Sequence, residues 1–213
     1  MKQLNNKSSL MNTKIDSLSV RACMLAAATL LCVFAATGEA LPATPSATPS
    51  HFVLSSSDSQ LVVSVPLKYT AKAFGCSGGN LSPPLHWSGA PAGTKSFVVT
   101  LFDPDERSTP SGWWHWVVYD LPADTNDLPV GAGAEHSKLL PAQALQGRSD
   151  LGEDAYHGPC PDKGDPPHRY TFTVYALKID KLPVAADSSG AMVVSTAKEY
   201  VLAKAVLVGH YGR

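Results

Sequence analysis

The chain has 213 residues, of which 44% are hydrophobic and 16% charged, and 17 basic against 18 acidic side chains give a net charge of -1. This composition excludes a globally disordered protein, and the even charge balance disfavours a general nucleic-acid binder, which needs a dense basic face. Seventeen prolines and sixteen glycines predict that turns and extended segments outnumber long helices.

The N-terminal segment, residues 1–40, has the pattern of a secretory signal peptide. Basic residues precede an uncharged, largely apolar run at 22–38, and small residues stand at 38 and 40, as signal peptidase requires. We expect cleavage after Ala40 and a periplasmic or secreted mature chain. An uncleaved N-terminal anchor is the alternative, because the run of about 17 residues is marginal for spanning a membrane. Met11 is an alternative start.

Residues 41–51 are rich in proline, threonine and serine and are predicted to be a flexible linker. Residues 52–213 are expected to form one domain, since no repeat or heptad pattern divides them. Two cysteines, Cys76 and Cys160, follow the predicted signal peptide. An oxidising compartment permits a disulfide between them, and two buried free thiols are the other state that the sequence allows.

Short runs of β-branched and aromatic residues predict the strands of this domain. They occupy residues 60–65, 96–102, 114–119 and 170–177. Both faces of the second run are largely apolar, which is typical of a strand inside a sandwich. No alternation of strands with helices is present, so a parallel, doubly wound sheet is disfavoured.

One helix is predicted near the C-terminus. Thr196 followed by Glu199 has the spacing of a capping box, in which the hydroxyl and the carboxylate accept hydrogen bonds from backbone N–H groups of the first turn. The helix is expected at residues 197–203. Residues 204–211 either continue it or form a last strand.

Polar side chains suited to ligand binding lie at the ends of predicted strands. They are Asp103, Asp105, His115, Gly158, Pro159, His168 and Tyr170. Antiparallel neighbours place strand ends side by side, so a carboxylate can fix the tautomer of an imidazole whose other nitrogen faces an anion. The glycine allows backbone N–H groups to approach the same anion. The pattern therefore predicts an anion site built from side chains and backbone.

Six stretches, four of which contain these residues, resemble in the same order the phosphatidylethanolamine-binding protein (PEBP) family, and in particular its bacterial Raf kinase inhibitor-like branch. The stretches are 81–87, 103–105, 112–116, 158–161, 168–170 and 209–213. The resemblance covers residues 52–213. It implies a mainly β fold, an antiparallel two-sheet β-sandwich with a few short helices, and a small pocket that binds anions such as phosphate headgroups.

The resemblance also implies roles for individual residues. The pocket acids of the family match Asp103 and Asp105, its histidines His115 and His168, its loop Gly158-Pro159, and its tyrosine Tyr170. The family usually continues Asp-Pro-Asp with Ala-Pro, whereas Glu106 and Arg107 follow here, which affects the expected size and choice of ligand. Arg169 is expected to form an ion pair rather than contact ligand, since its side chain points opposite to those of its neighbours on a strand.

Each candidate also has a structural interpretation, and other functions compete with binding. Asp103 can cap a turn, and His115 between two tryptophans can be a core histidine. A non-haem metal could be held by two histidines and a carboxylate. A serine hydrolase could use Ser111 with His115, although no Gly-x-Ser-x-Gly motif is present. The resemblance also allows a regulatory or inhibitory protein-interaction module.

Together, these patterns predict an exported protein that binds a small anion or phosphate-bearing headgroup without chemical turnover. No cofactor, no nucleic-acid partner and no integral membrane span in the mature chain are expected.

Overall fold

The computed structural model describes residues 51–213. The predicted signal peptide and all of the predicted linker except its last residue lie outside the described residues. Within 51–213, no helix combines the length and apolar character needed to cross a bilayer.

Two antiparallel sheets make up the described fold, as predicted. Its strands are β1 (Val53–Ser55), β2 (Leu85–Ser88), β3 (Ser96–Asp103), β4 (Trp113–Pro122), β5 (Asp127–Leu128), β6 (Leu145–Gln146), β7 (His168–Leu177) and β8 (Val201–Tyr211). The smaller sheet has the order β1-β2-β5, and the larger sheet has the order β6-β4-β3-β7-β8. The predicted strands at 96–102, 114–119 and 170–177 correspond to β3, β4 and β7.

Strand β3 is buried on both faces, as its sequence predicts. Phe97, Val99 and Leu101 join the main core, which also contains Trp87 from the smaller sheet. Val98 points to the opposite face and packs in a second core under the helix. Full burial of such side chains contributes roughly 1.5–3 kcal/mol each, so the centre of the large sheet is a rigid support for whatever lies at its ends.

The helix lies earlier in the chain than the capping pattern predicts, and the prediction of 197–203 is wrong. Helix α1 spans Gly190–Ala197, and the Ser189 hydroxyl accepts the backbone N–H of Met192 at its start. Residues 201–211 form β8 and pair with β7 along the length of both strands. That ladder satisfies the backbone groups of the whole segment, which a few residues of locally favoured helix would not.

The predicted strand at 60–65 is also wrong. Ser59–Val62 form a 3-10 turn, and Asp58 caps it by accepting the backbone N–H of Gln60. Of the apolar residues in this run, Leu61 and Val65 enter the core while Val62 and Val63 are exposed. A short polar side chain that bonds to nearby backbone favours a turn over a strand, and this local contact prevails here.

Candidate functional site

A cavity of about 590 Å³ lies at the end of the large sheet where β3 ends and β4 and β7 begin. We call it the sheet-end cavity. The loops at 71–80 and 151–162 complete its wall. Of the seven residues predicted for the site, those that line the cavity are Asp103, His115, Gly158 and Tyr170. Asp105, Pro159 and His168 are not among the lining residues.

Asp103 and His168 form a buried acid–histidine pair beside the cavity. His168 Nδ1 donates to Asp103 Oδ2 at 2.8 Å, and the two side chains are 4% and 2% exposed. Asp103 Oδ1 accepts the backbone N–H groups of Asp105 at 2.8 Å and Glu106 at 3.1 Å. Asp103 therefore caps the turn after β3 and also fixes the tautomer of His168, so the structural and functional interpretations of this residue coexist.

Asp105 is held by Arg169 outside the cavity. Its carboxylate accepts hydrogen bonds from Arg169 Nη2 at 2.7 Å and Nε at 2.9 Å, and from the Arg169 backbone N–H at 2.8 Å. These bonds lower the pKa of Asp105 to about 2. Arg169 thus forms the ion pair expected of it, and the pair ties the turn after β3 to the start of β7.

One ring nitrogen of His115, Nδ1, is hydrogen-bonded within the described part of the protein, and the other, Nε2, is not. Its Nδ1 donates to the carbonyl oxygen of His157 at 2.9 Å. Within residues 51–213, its Nε2 has no hydrogen-bond partner. Burial lowers the pKa of His115 to about 4, although the negative charge of Asp103 partly opposes this shift. His115 is therefore neutral at pH 7, with its hydrogen on Nδ1.

Tyr170 packs between the two histidines. Its ring centroid lies 5.4 Å from that of His115, edge to face, and 6.3 Å from that of His168, stacked. Burial and the negative charge of Asp103 raise the pKa of Tyr170 above its ordinary value, so its phenol stays protonated. Three strands, β3, β4 and β7, thus bring Asp103, His115 and Tyr170 together at the cavity.

The Gly158 loop is shaped by packing, and its backbone donor is already used. The N–H of Gly158 donates to Asn80 Oδ1 at 2.9 Å, and Pro159 has no N–H to offer. A Cβ at residue 158 would overlap the carbonyl oxygen of Tyr69, so only glycine allows this approach of the two loops. The backbone N–H groups expected to face an anion at 158–159 are therefore not free.

A disulfide between Cys76 and Cys160 joins the two loops that wall the cavity, with the Cα atoms 6.0 Å apart. Of the two states that the sequence allowed, the structure has the bridge. The Arg213 guanidinium makes a second connection between the same loops. It donates to the carbonyl oxygens of Pro161 at 2.6 Å, Gly75 at 3.0 Å and Phe74 at 3.3 Å.

The metal alternative from the sequence was a site of two histidines and one carboxylate, and the group that the described residues bring together instead has one histidine and two carboxylates. Asp103, Glu106 and His168 each offer one donor atom, and these atoms lie within 4.8 Å of one another. His168 Nδ1 already donates to Asp103, and the other Asp103 oxygen accepts two backbone N–H groups. Both Asp103 oxygens and His168 Nδ1 are thus engaged in hydrogen bonds, so we interpret the group as a hydrogen-bonded acid–histidine pair with a neighbouring carboxylate.

Comparison with known proteins places this chain in a family. The family model described as phosphatidylethanolamine-binding protein matches residues 56–212, which are most of the chain. The chain belongs to the PEBP family. Among curated relatives, the UPF0098 proteins YbcL and YbhB of Escherichia coli are 49% and 50% identical over 148 and 129 residues. These matches cover 70% and 61% of this chain and 80% of each relative.

Solved structures of PEBP proteins agree with the fold. E. coli YbcL, described as a new member of the mammalian PEBP family, superposes with a TM-score of 0.73 at 45% identity. That match covers 76% of this chain and 98% of YbcL. CT736, a PEBP homologue from Chlamydia trachomatis, gives a TM-score of 0.64 at 31% identity over 77% of this chain and 99% of its own.

The cavity of this PEBP protein has a more acidic wall than the sequence motifs predict. The carboxylates that line it belong to Asp103, Glu106, Glu153 and Asp162, and Lys72 is the lone lysine or arginine among its described lining residues. Burial alone would raise the pKa of Glu106, but hydrogen bonds from Ser108 and smaller electrostatic contributions together lower that pKa below its ordinary value. Glu106 is therefore ionised at neutral pH.

The histidine and the acidic residues of the cavity lining that the sequence motifs do not mark as functional candidates are His157, Glu153 and Asp162. His157 supplies the carbonyl oxygen that His115 bonds to, and its Nε2 lies 3.0 Å from Glu153 Oε2. Glu106 was marked in the sequence, because it occupies the position at which the chain departs from the usual family pattern. No local pattern marked His157 or Glu153, since their roles depend on contacts with distant strands.

Proposed function

We propose that this PEBP-family protein is an exported binding protein whose sheet-end cavity holds a small phosphate-bearing headgroup without chemical turnover. The observation that supports this most is the meeting of Asp103, His115 and Tyr170, from three separate strands, on one open cavity. Residues buried this deeply at strand ends are held in place by the core behind them, as a binding site requires.

The charges of the wall favour a ligand with a cationic group as well as a phosphate. Glu106 and Glu153 would attract an ammonium group, whereas a bare dianion would be repelled by them. The cavity volume of about 590 Å³ exceeds the size of inorganic phosphate, and Trp113 and Leu151 provide apolar wall for the rest of a larger molecule. A zwitterionic headgroup such as phosphoethanolamine meets these conditions.

Export is part of the proposal and rests on the signal-peptide pattern at residues 1–40. The Cys76–Cys160 disulfide is consistent with it, because disulfides persist in oxidising compartments. A regulatory or inhibitory role would then involve a protein partner in the periplasm or outside the cell.

The test is calorimetric titration of the purified mature chain, residues 41–213, with phosphoethanolamine. We expect modest affinity, since a few charge-assisted hydrogen bonds contribute about 1.5–3 kcal/mol each. His115→Ala should weaken binding at least about tenfold while the melting temperature changes by a few degrees at most. His210→Ala is the matched control, because that histidine side chain is exposed on β8.

Two results would contradict the proposed function. Unchanged binding in His115→Ala together with a large loss of stability would make His115 a core histidine only. A first-row metal present at one equivalent in the purified protein, and lost in Asp103→Asn, would instead favour the metal-site alternative.

A further inference from the structure

The hydrogen bond between His115 and the His157 carbonyl decides what His115 offers to a ligand. A carbonyl oxygen only accepts, so the hydrogen of the 2.9 Å bond belongs to His115 Nδ1. A neutral imidazole carries one hydrogen, so its other nitrogen is an acceptor. Nε2 therefore faces the cavity with a lone pair and not with an N–H group.

Most of the charged side chains that line the cavity are also acceptors, since they are carboxylates and Lys72 is the exception among the described residues. Titratable groups contact or face His115 from β3 and its following turn, from β7 and from the 151–162 loop: they are Asp103, Glu106, Tyr170, Glu153 and His157. The one backbone N–H predicted to point at an anion, that of Gly158, donates to Asn80. The Tyr170 hydroxyl and Lys72 can donate to other oxygens of a phosphate, but an oxygen without a hydrogen that is directed at His115 Nε2 would meet a lone pair.

We propose, on the basis of the proposed function, that the cavity selects the singly charged, protonated form of a phosphate monoester, whose P–O–H group donates to His115 Nε2. The main-chain oxygen of His157 is then the specificity-determining atom, because it holds the hydrogen on Nδ1. A monoester dianion must first gain one proton from solvent, and the bound complex keeps that proton on the ligand oxygen.

The competing arrangement places the added proton on His115. The imidazolium would then donate from both nitrogens and bind any tetrahedral anion, whether or not the anion carries a hydrogen. Burial of the ring opposes this charge, and the pKa of about 4 means that few molecules hold it near neutral pH. The two arrangements therefore differ in whether the hydrogen must come with the ligand.

A pair of matched ligands separates them without any substitution. Phosphoethanolamine and its sulfate ester analogue, 2-aminoethyl hydrogen sulfate, share the ammonium group and a tetrahedral anion. A phosphate monoester gains its second proton near a pKa of about 6, whereas the sulfate ester stays unprotonated throughout the neutral range. Calorimetric titrations of the mature chain with both ligands, from about pH 5.5 to about pH 8.5, bracket that pKa.

We expect the phosphate ester to bind at least about tenfold more tightly than the sulfate ester at the acidic end. Above about pH 6 the ratio of the two association constants should fall about tenfold per pH unit, as the monoanion disappears. Titrations of the phosphate ester in two buffers of different ionisation enthalpy should show proton uptake that approaches one per ligand at the alkaline end.

A His115→Gln variant is a further check, because its terminal amide can turn to offer either a donor or an acceptor. If it binds ligand, the ratio should fall to within about threefold of one at every pH. The ratio measured on the wild-type protein decides the question if this variant does not fold.

Each outcome has a definite meaning. Equal affinities for the two ligands, or a ratio that rises with pH, would overturn the selection of the protonated form and leave the proposed function standing. Binding of neither ligand at millimolar concentration would overturn the proposed function, and the inference with it.

Discussion

At the scale of single residues, Asp103 shows how one side chain meets structural and binding requirements together. Its Oδ1 accepts two backbone N–H groups of the turn after β3, and its Oδ2 accepts the hydrogen of His168 Nδ1. Both oxygens are buried, and both accept hydrogen bonds. Loss of either set of bonds leaves donors in the interior without partners, which costs about 1–3 kcal/mol.

Asp103→Asn is expected to lower the free energy of unfolding by about 1–3 kcal/mol. The amide keeps one acceptor but turns a donor toward either His168 or the turn. Asp105→Asn is the matched control on the same turn, and because its ion pair with Arg169 is partly exposed, the loss should stay near or below about 1 kcal/mol. Urea unfolding of the two variants and of the wild type measures both losses of unfolding free energy. A larger loss for Asp105→Asn would contradict the assignment of Asp103 as the central residue.

His115 should make stability depend on pH in a defined window. Its pKa is lowered from 6.5 to about 4 by burial, so between these values the unfolded chain binds more protons than the folded one. The contribution of His115 to stability is therefore complete above about pH 6.5 and declines as the pH falls toward 4. The difference in unfolding free energy between wild type and His115→Gln should shrink over that range, as measured by urea unfolding. A difference independent of pH would show that the ring is not held neutral.

At the scale of elements, the two loops around the cavity depend on connections that are distant in sequence. The disulfide joins them directly, and Arg213 bonds to carbonyl oxygens on both sides of it. Neither loop belongs to a sheet, so these contacts, together with the packing around Gly158, set the width of the cavity.

Arg213→Lys is expected to weaken phosphoethanolamine binding several-fold, nearly as much as Arg213→Ala. A lysine keeps the positive charge but cannot donate in the planar fork that reaches Pro161, Gly75 and Phe74. Calorimetry of both variants tests this. If Arg213→Lys bound like wild type while Arg213→Ala did not, the charge of residue 213 rather than its bonds would be the important property.

The success of sequence-based prediction differed among elements for physical reasons. Strands β3, β4 and β7 are apolar over most of their length, and a buried strand leaves that mark in the sequence. The two wrong predictions have different causes. At 60–65 the nearby Asp58 side chain caps a turn, and this local contact outweighs strand propensity. At 197–203 the residues that follow the helix pair with β7, and this tertiary contact outweighs helix propensity.

The candidate site shows the same division. The chemical identity of Asp103, His115 and Tyr170 was evident in motifs at strand ends, and the structure brings them to one cavity. The hydrogen bond from the Gly158 N–H to Asn80 was not evident in the sequence, because the two residues are 78 positions apart and meet only in the folded chain. The direction of the hydrogen bond at His115 Nδ1 likewise could not be predicted, because it depends on where the folded chain places the carbonyl oxygen of His157.

At the scale of the whole molecule, the two sheets provide stability while the sheet end carries the polar residues. The main core lies between the sheets, and the second core packs under α1. The cavity residues take their positions from strands whose other ends are anchored in these cores. Export and binding are then separate properties of one chain, the first predicted for residues 1–40 and the second proposed for the described domain.

Expression of the full chain in a bacterial host tests the first property. We expect the mature protein in the periplasm or the medium, with the mass of a chain that begins at Leu41. Because Cys76 and Cys160 are joined, we expect no thiol to react before reduction. Mass spectrometry with and without thiol labelling measures both. An intact N-terminus in the membrane fraction would favour the uncleaved anchor, and two free thiols in the mature protein would contradict the disulfide.

The bond from His115 to residue 157 has an evolutionary consequence. A main-chain oxygen is present whatever amino acid occupies a position, so mutation of His157 need not disturb the orientation of the neighbouring imidazole. A ligand preference that depends on this main-chain oxygen can therefore persist while the amino acid at residue 157 changes. Homologues with unrelated residues at this position would then share the preference, provided that their backbones follow the same course.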